Sequence, residues 1–172
     1  MSFEVSLRGP TNAPSLAEGP SAADYDSVVM DACVILASTD CAFRVGGFGS
    51  AGWPVDVGCD LSTFVEQLPE AIDAIRDRRN AEIDFYGQGI ERTLLFEVED
   101  PLVRIKCLTR TSWKPDPEIE VVARDKIILM LMDVSSEFAS ALKTIWPDVD
   151  SVRPICEMLI SGRWDPSFLS EG

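Results

Sequence analysis

The sequence predicts an α+β domain, in which helices cover one face of an antiparallel β-sheet of about five or six strands. Three stretches carry this prediction. Residues 60–76 have apolar side chains at helical spacing, residues 81–110 alternate with period two, and residues 125–146 return to helical spacing. The 172 residues fit a single domain: a partly irregular lead-in at 1–27, a unit of sheet, helix and meander at 28–110, and a C-terminal helical segment at 122–172.

The N-terminal part of the chain is predicted to be extended. Residues 3–8 alternate weakly, as in an edge strand, and residues 10–20 form a loop rich in Pro, Ser, Ala and Gly. Residues 28–37 are largely apolar, which favours a second strand, and residues 41–46 favour a third. The turn signal at residues 38–40 joins these two strands as a hairpin.

The first predicted helix begins at Asp60, whose carboxylate can accept a backbone N–H of the first turn. Its apolar stripe comprises Leu61, Phe64, Val65, Leu68, Ile72 and Ile75. Pro69 lies within this stripe, removes one backbone donor and crowds the preceding turn. We therefore expect a kink there, or a break into two short helices.

Three strands of a meander follow, at residues 81–86, 90–98 and 103–110, with turns at 87–89 and 99–102. The length of the second turn sets the register, because a slip of one residue would exchange the two faces. It places Leu94 opposite Cys107, Phe96 opposite Ile105 and Val98 opposite Val103. This face is apolar except for Arg92 and is expected to carry the helix.

The opposite face of the meander is acidic on two strands and basic on the third, where Arg104, Lys106 and Arg110 lie. One interpretation is an ordinary solvated face with cross-strand charge pairs. The other is a protein interface with an apolar centre and an acidic surround that fits a basic partner. The residues of this candidate interface are Glu82, Asp84, Tyr86, Glu91, Leu95 and Glu97.

Trp53 and Trp113 each lie just outside a predicted strand and close to a proline. They either close the core at the ends of the sheet or provide aromatic anchors at a protein interface. We therefore include both residues in the candidate interface.

The C-terminal segment is predicted to be helical. Residues 125–146 bury one stripe and end before Pro147, and a shorter helix at residues 151–160 ends before Gly162. The stripe comprises Ile127, Leu131, Val134, Phe138, Ala141 and Ile145. Trp164 and Phe168 in the tail are expected to pack back on the domain.

The chain carries 15 basic and 29 acidic residues, a net charge of −14. This charge disfavours nucleic acid and anionic membranes as ligands, because both are bound through Lys and Arg. It favours solubility and, for a macromolecular partner, a basic protein. The N-terminus lacks a secretory pattern and no apolar run could span a bilayer, so we expect a cytoplasmic protein.

The residue types exclude several kinds of chemistry. The sequence has no histidine, which removes Ser-His-Asp and Cys-His catalysis and histidine zinc sites. The five cysteines are odd in number and form no C-x-x-C pair, which favours buried reduced thiols over disulfides or zinc: Cys33, Cys41, Cys59, Cys107 and Cys156. The acidic clusters fall in predicted turns and termini, and no calcium-loop pattern is present. We therefore predict no catalytic residue and no metal.

Residues 47–52 match the dinucleotide fingerprint G-x-G-x-x-G literally. In a dinucleotide site a helix begins directly after the glycines and its N-terminus meets the pyrophosphate. Here Trp53 and Pro54 follow instead. We therefore predict a turn at these residues and no cofactor.

The order of elements over residues 28–110 resembles a known group of proteins. A predicted hairpin precedes a helix start that reads Asp60, Leu61, Phe64 and Leu68, and a strand with Glu82, Asp84, Phe85 and Tyr86 opens the meander. This layout resembles small acidic immunity proteins of bacterial polymorphic toxin systems, including the immunity family for wall-associated toxins. The resemblance implies a cytoplasmic protein that neutralises a cognate toxin by direct binding, and it assigns no functional residue.

Three functions are thus open. The sequence favours a non-catalytic protein-binding domain. The alternatives are an enzyme that uses carboxylates, which would need two carboxylates converging in a cleft, and a small-ligand or regulatory domain, which would need a large closed cavity between sheet and helices. The oligomeric state is not predicted.

Overall fold

The computed structural model describes residues 2–87 and 90–168. Its helices and strands, in chain order, are β1 Glu4–Arg8, α1 Tyr25–Leu36, β2 Ala42–Gly46, α2 Asp60–Arg76, β3 Ala81–Phe85, β4 Arg92–Glu99, β5 Leu102–Thr109, β6 Ile119–Ala123, α3 Arg124–Ile145 and α4 Arg153–Ser161. The α+β class is confirmed. The prediction of one sheet is wrong, because the described strands form two antiparallel sheets, β1–β2 and β3–β4–β5–β6.

The strand predicted at residues 28–37 is wrong, and so is its hairpin with residues 41–46, since this segment belongs to α1. Asp24 caps α1, accepting the Ser27 N–H at 3.0 Å. The buried residues of α1 lie three and four positions apart: Tyr25, Val28, Val29, Ala32, Cys33 and Leu36. β2 pairs with β1 instead, with Val45 opposite Val5.

The N-cap predicted at Asp60 is also wrong. Asp60 is the first residue of α2, and the cap position is Cys59, whose side chain makes no capping hydrogen bond. The Asp60 carboxylate instead accepts the Asp56 N–H at 2.8 Å, in the loop that leads into the helix. Asp60 therefore stabilises the approach to α2, and the helix begins one residue earlier than the sequence predicted.

Pro69 does not divide α2, which is continuous over 17 residues. A proline at position 69 cannot donate to the carbonyl of Val65, four residues earlier. The Tyr25 hydroxyl of α1 donates to this carbonyl at 2.6 Å, inside the core. A side chain from another helix thus replaces the missing backbone donor, and the buried carbonyl is satisfied.

We expect Tyr25→Phe to lower the free energy of unfolding by about 1–3 kcal/mol, because the Val65 carbonyl would stay buried without a donor. Urea unfolding measures this loss. Tyr86→Phe is the control, since Tyr86 is exposed. In a Pro69→Ala background the N–H of residue 69 can donate to the Val65 carbonyl again. Tyr25→Phe should therefore lower the free energy of unfolding by less in that background. An equal cost in both backgrounds would contradict the role given to Tyr25.

The register predicted for the meander is confirmed at all three pairs: Leu94 with Cys107, Phe96 with Ile105, and Val98 with Val103. The second turn consists of Asp100 and Pro101, between the paired residues Glu99 and Leu102. The predicted first turn, 87–89, includes Gln88 and Gly89, which lie outside the described residues.

The inner face of the four-stranded sheet packs against α2, which contacts β3 most closely. Gln67 of α2 also forms hydrogen bonds with the backbone at the unpaired edge of β3. Its side-chain amide donates to the Asp84 carbonyl at 3.0 Å and accepts the Asp84 N–H at 2.9 Å. This pair of bonds imitates a neighbouring strand, so that one position of the edge is already hydrogen-bonded.

The glycine-rich residues form a turn, as predicted. Gly47, Phe48 and Gly49 have φ angles of 116°, 56° and 81°, and Gly47 pairs with Ser50. A Cβ at Gly49 would collide with the backbone carbonyl of Asp116. Residue 49 therefore needs glycine for both conformation and space.

A buried carboxylate joins the two sheets. Glu120 of β6 lies on the inner face and accepts the backbone N–H of Phe3, which precedes β1, and that of Phe48, at 2.5 Å, in the turn after β2. The rings of Phe3 and Phe96 meet edge to face with centroids 6.1 Å apart. The charge of Glu120 is thus balanced by backbone donors at the junction of the sheets.

We expect Glu120→Gln to destabilise the domain by about 1–3 kcal/mol. The NH2 group of the glutamine would face the N–H of Phe3 or of Phe48, and two donors cannot form a hydrogen bond with each other. Denaturant unfolding measures the change. Glu118→Gln is the matched control, since Glu118 is exposed and lies close to β6. Equal stabilities of the two variants would show that Glu120 does not join the sheets.

The C-terminal part of the described chain contains α3, with 22 residues, and α4. α3 packs chiefly against β1, α2 and α4, and the Ser135 hydroxyl donates to the Leu159 carbonyl of α4 at 2.6 Å. Gly162 ends α4 with a φ of 62°. Trp164 packs back on the core, edge to face with Tyr25. Over the described residues, no helix has the length and apolar character needed to cross a bilayer.

Candidate functional site

The structure separates the predicted interface residues into two places. Six lie on or beside the outer face of the four-stranded sheet: Glu82, Asp84, Tyr86, Glu91, Leu95 and Glu97. Trp53 and Trp113 lie together on the other side, with ring centroids 6.0 Å apart. Trp53 is only 5% exposed and contacts Phe85 of the inner face. Trp53 therefore belongs to the core.

Much of the acidic charge on the outer face is balanced within the sheet. Asp84 lies 2.8 Å from Arg110 and also accepts the Thr93 hydroxyl. Glu97 lies 3.7 Å from Arg104. Such pairs on a solvated surface contribute little to stability, but they reduce the field that a partner would meet.

The remaining residues of this face differ in exposure. Glu82 is exposed, and the register places the half-buried Leu95 between Glu82 and Lys106. Glu91 has a φ of 43°, and its carbonyl accepts the Arg110 N–H at 3.0 Å. The backbone of Glu91 thus closes the end of the β4–β5 pair, and the face as a whole carries both charges.

Tyr86 is 63% exposed and points toward α2 rather than to the centre of the sheet face. Its hydroxyl donates to Glu66 Oε2 at 3.0 Å. Glu66 Oε1 accepts the Ser62 hydroxyl at 2.9 Å. Tyr86 therefore connects the sheet to a second surface, which α1 and α2 form.

This second surface comes from a strongly acidic part of the chain. Between Arg8 and Arg76 the sequence has one base, Arg44, and ten acids: Glu18, Asp24, Asp26, Asp31, Asp40, Asp56, Asp60, Glu66, Glu70 and Asp73. The segregation of charge along the chain was the signal for this surface. A strand at residues 28–37 would not place these acids beside α2, whereas helix α1 does.

We define the acidic cluster as Asp24, Asp26, Glu66 and Tyr86. Burial raises the pKa of Glu66, and the charge of Asp26 raises it further. Burial and the neighbouring Asp24 likewise raise the pKa of Asp26. Within residues 2–87 and 90–168, no Lys or Arg nitrogen lies within 4.0 Å of either carboxylate. The cluster is thus a site of uncompensated negative charge.

A surface groove of about 500 Å³ lies along α1, between the lead-in and Trp146. The lead-in is held there because Trp146 Nε1 donates to the Glu18 carbonyl at 3.0 Å and the Leu16 N–H donates to the Ile145 carbonyl at 2.7 Å. Val34 lines the groove and is 70% exposed, and Met30, 55% exposed, lies one turn earlier on α1. The outer side of α1 therefore combines apolar side chains with the acids of the cluster.

The described residues show no group of three or more His, Cys, Asp or Glu that could hold a metal ion. All five cysteines are free, with Cys33, Cys107 and Cys156 buried, Cys41 half-buried and Cys59 exposed. The expectation of buried thiols is therefore wrong for Cys59. Burial raises the pKa of Cys107 and of Cys156 to about 11, so both are protonated at neutral pH.

Comparison with models of known families, with curated proteins and with solved structures found no match for this chain. The arrangement of charge and apolar surface is therefore the basis for a functional proposal.

The raised pKa of Glu66 predicts a dependence of stability on pH. A carboxyl group with a higher pKa in the folded state favours folding at low pH, and this contribution is lost as the pH rises through the folded pKa. Glu66→Gln should therefore gain stability relative to the natural protein between about pH 4 and pH 7. Urea unfolding at both pH values tests this. Glu70→Gln, an exposed change on the same helix, is the control. A Glu66→Gln difference independent of pH would contradict the raised pKa of Glu66.

Proposed function

We propose that this protein is a non-catalytic protein-binding domain that recognises a basic partner protein. The acidic cluster supports this proposal most directly, because Asp26 and Glu66 carry raised pKa values and have no Lys or Arg nitrogen within 4.0 Å in the described chain. Lys or Arg side chains of a partner would supply the missing positive charge. Binding would then relieve a repulsion that the free protein retains.

The net charge of −14 acts over a longer range than the cluster. It would attract a basic protein before contact and raise the association rate at low ionic strength. The short-range contacts would come from the apolar side chains next to the acids, Met30 and Val34 on α1 and Tyr86 beside Glu66. An interface with an aromatic or apolar centre and a charged surround is the usual arrangement for strong binding.

The more specific form of the proposal is an immunity protein that neutralises a cognate bacterial toxin in the cytoplasm. Its support is the resemblance to small acidic immunity proteins, together with the acidic surface. The resemblance depends on α2 followed by the meander of β3, β4 and β5, because α1 and β2 replace the hairpin that was expected before α2.

The same carboxylates offer little to an enzyme. Both oxygens of Glu66 already accept hydroxyl groups, from Ser62 and Tyr86. Proton transfer to a substrate would require one of these bonds to open. The groove along α1 is open to the surface, whereas the small-ligand alternative called for a large cavity between sheet and helices. We therefore propose the binding function alone.

The first test is purification of the tagged protein from its native host at low salt, followed by mass spectrometry of the proteins that accompany it. We expect one stoichiometric basic protein, released by raising the salt concentration because the attraction is electrostatic. For the immunity proposal, this partner should arrest growth when produced alone, and co-production of the present protein should restore growth. A partner without toxicity would refute neutralisation and leave protein binding in place.

The second test locates the interface with two variants of equal net charge. Asp26→Asn with Glu66→Gln should weaken binding of the partner by about tenfold or more, since each removed charge of a close pair contributes about a kcal/mol or more. Asp133→Asn with Asp148→Asn, at exposed positions on and after α3, should leave the affinity within about twofold.

A third variant, with Asp84, Glu91 and Glu97 changed to Lys, tests the outer sheet face. Because Asp84 and Glu97 are already paired with Arg110 and Arg104, we expect a smaller loss than at the acidic cluster. Titration calorimetry with the purified partner ranks the three variants. If only the sheet variant lost affinity, the interface would lie on the sheet face.

A further inference from the structure

Arg92 is the feature of the core that the proposed function does not use. It is the one charged residue predicted on the apolar face of the meander, and it is 5% exposed. Its Cζ lies 4.4 Å from the ring centroid of Trp53 and 3.6 Å from that of Trp113. Because the two centroids are only 6.0 Å apart, the guanidinium lies in the corner between the rings rather than sandwiched between them. We call this arrangement the tryptophan corner.

The rings balance only part of the charge of Arg92. Cation–π contacts stabilise a guanidinium through its face, but its N–H groups lie in its plane and need acceptors. Nε and Nη1 of Arg92 are fully buried and have no hydrogen-bond acceptor in the described chain. Arg104 Nε and Arg124 Nε also lack a well-formed hydrogen bond, but each lies within 4 Å of a carboxylate. Arg92 has no such partner among the described residues.

The acidic groups of Asp84, Cys107 and Glu120, on the strands of the same sheet, are bonded to other residues or are uncharged. The Asp84 carboxylate is paired with Arg110, and Glu120 accepts two backbone N–H groups. The Cys107 thiol lies near Arg92, but burial keeps it protonated at neutral pH. Leaving a buried cation without a counter-charge is costly, and the cost is usually offset by a partner ion or ligand.

We propose that the tryptophan corner is a binding site for a small carboxylate anion, with Arg92 as the residue that binds the charge. A monoanion fits best, since a single guanidinium is present and the net charge of −14 repels a dianion. The carboxylate accepts N–H bonds in the plane of the guanidinium, and the indole rings form the walls. Trp113 is half-buried and its neighbours Ser112 and Lys114 are exposed, so Trp113 is the member of the corner most accessible to solvent.

This site is independent of the proposed protein interface, because Arg92 is on the inner face of the sheet and the acidic cluster is on the surface of α1 and α2. Failure of one proposal therefore leaves the other intact.

The test is thermal unfolding of the natural protein in sodium acetate and in sodium chloride at equal sodium concentration. A ligand that binds only the folded state raises the Tm as its concentration passes Kd. We expect a higher Tm in acetate, with a change in tryptophan fluorescence that saturates over the same range. Sodium sulfate at equal ionic strength measures the general stabilisation by excluded salts, which should not produce the saturating change in tryptophan fluorescence.

Two variants of equal charge assign the effect. Arg92→Met should abolish the acetate-dependent rise in Tm, and its Tm in chloride should equal or exceed that of the natural protein, because an uncompensated cation has been removed. Lys114→Met removes a neighbouring exposed cation and should retain the rise. The same rise in both variants, or its loss in both, would overturn the proposal.

A second measurement does not depend on a folded Arg92→Met protein. The Nε–H resonance of Arg92, assigned by its absence in Arg92→Lys, should move with acetate and stay unchanged with chloride. An unchanged resonance together with equal Tm values in acetate and chloride would show that Arg92 is balanced by the indole rings alone.

Discussion

The arrangement of this domain depends on the buried carboxylate of Glu120. The four-stranded sheet and the two-stranded sheet share no strand, so contacts other than strand pairing connect them, including a hydrogen bond from the Asp116 N–H to the Phe48 carbonyl at 3.1 Å. Glu120 performs this role by accepting the N–H groups of Phe3 and Phe48, one before β1 and one after β2. The turn at residues 47–50 and the packing of Phe3 against Phe96 both follow from this junction. A backbone donor satisfies the charge without a second buried ion.

Two charged features differ from Glu120, because they lack partners within the described chain that would balance their charge. The acidic cluster concentrates negative charge at the surface with no cation close by in the described chain, and Arg92 carries a positive charge inside with no carboxylate close by there. They do not balance one another, because no ion pair joins Arg92 to Asp26 or Glu66 in the described chain. These two features are the basis for the two proposals made above, a basic protein partner at the surface and a small carboxylate in the core.

The spacing of apolar residues along the chain was enough to predict part of the fold. The alternation over β3, β4 and β5 predicted their register, because burial of one face leaves a single pairing that hides every apolar residue. It was insufficient for α1, since a short apolar run fits a buried strand or a buried helix equally well. The cap at Asp24 would have decided between them. The break that Pro69 allowed for does not occur, and the hydroxyl that satisfies the freed Val65 carbonyl belongs to Tyr25, forty residues earlier in sequence.

The sequence by itself determined the class of the fold, the register of the meander, the net charge and the absence of histidine chemistry. Each of these depends on composition or on neighbours close in the chain. Tertiary structure alone decided which charges remain uncompensated. The predicted register already placed Arg104 across from Glu97, but the pairing of Asp84 with Arg110 and the approach of Asp26 to Glu66 from separate helices depend on the folded structure. Trp53, Arg92 and Trp113 meet for the same reason, because contacts between distant segments form only when the core closes.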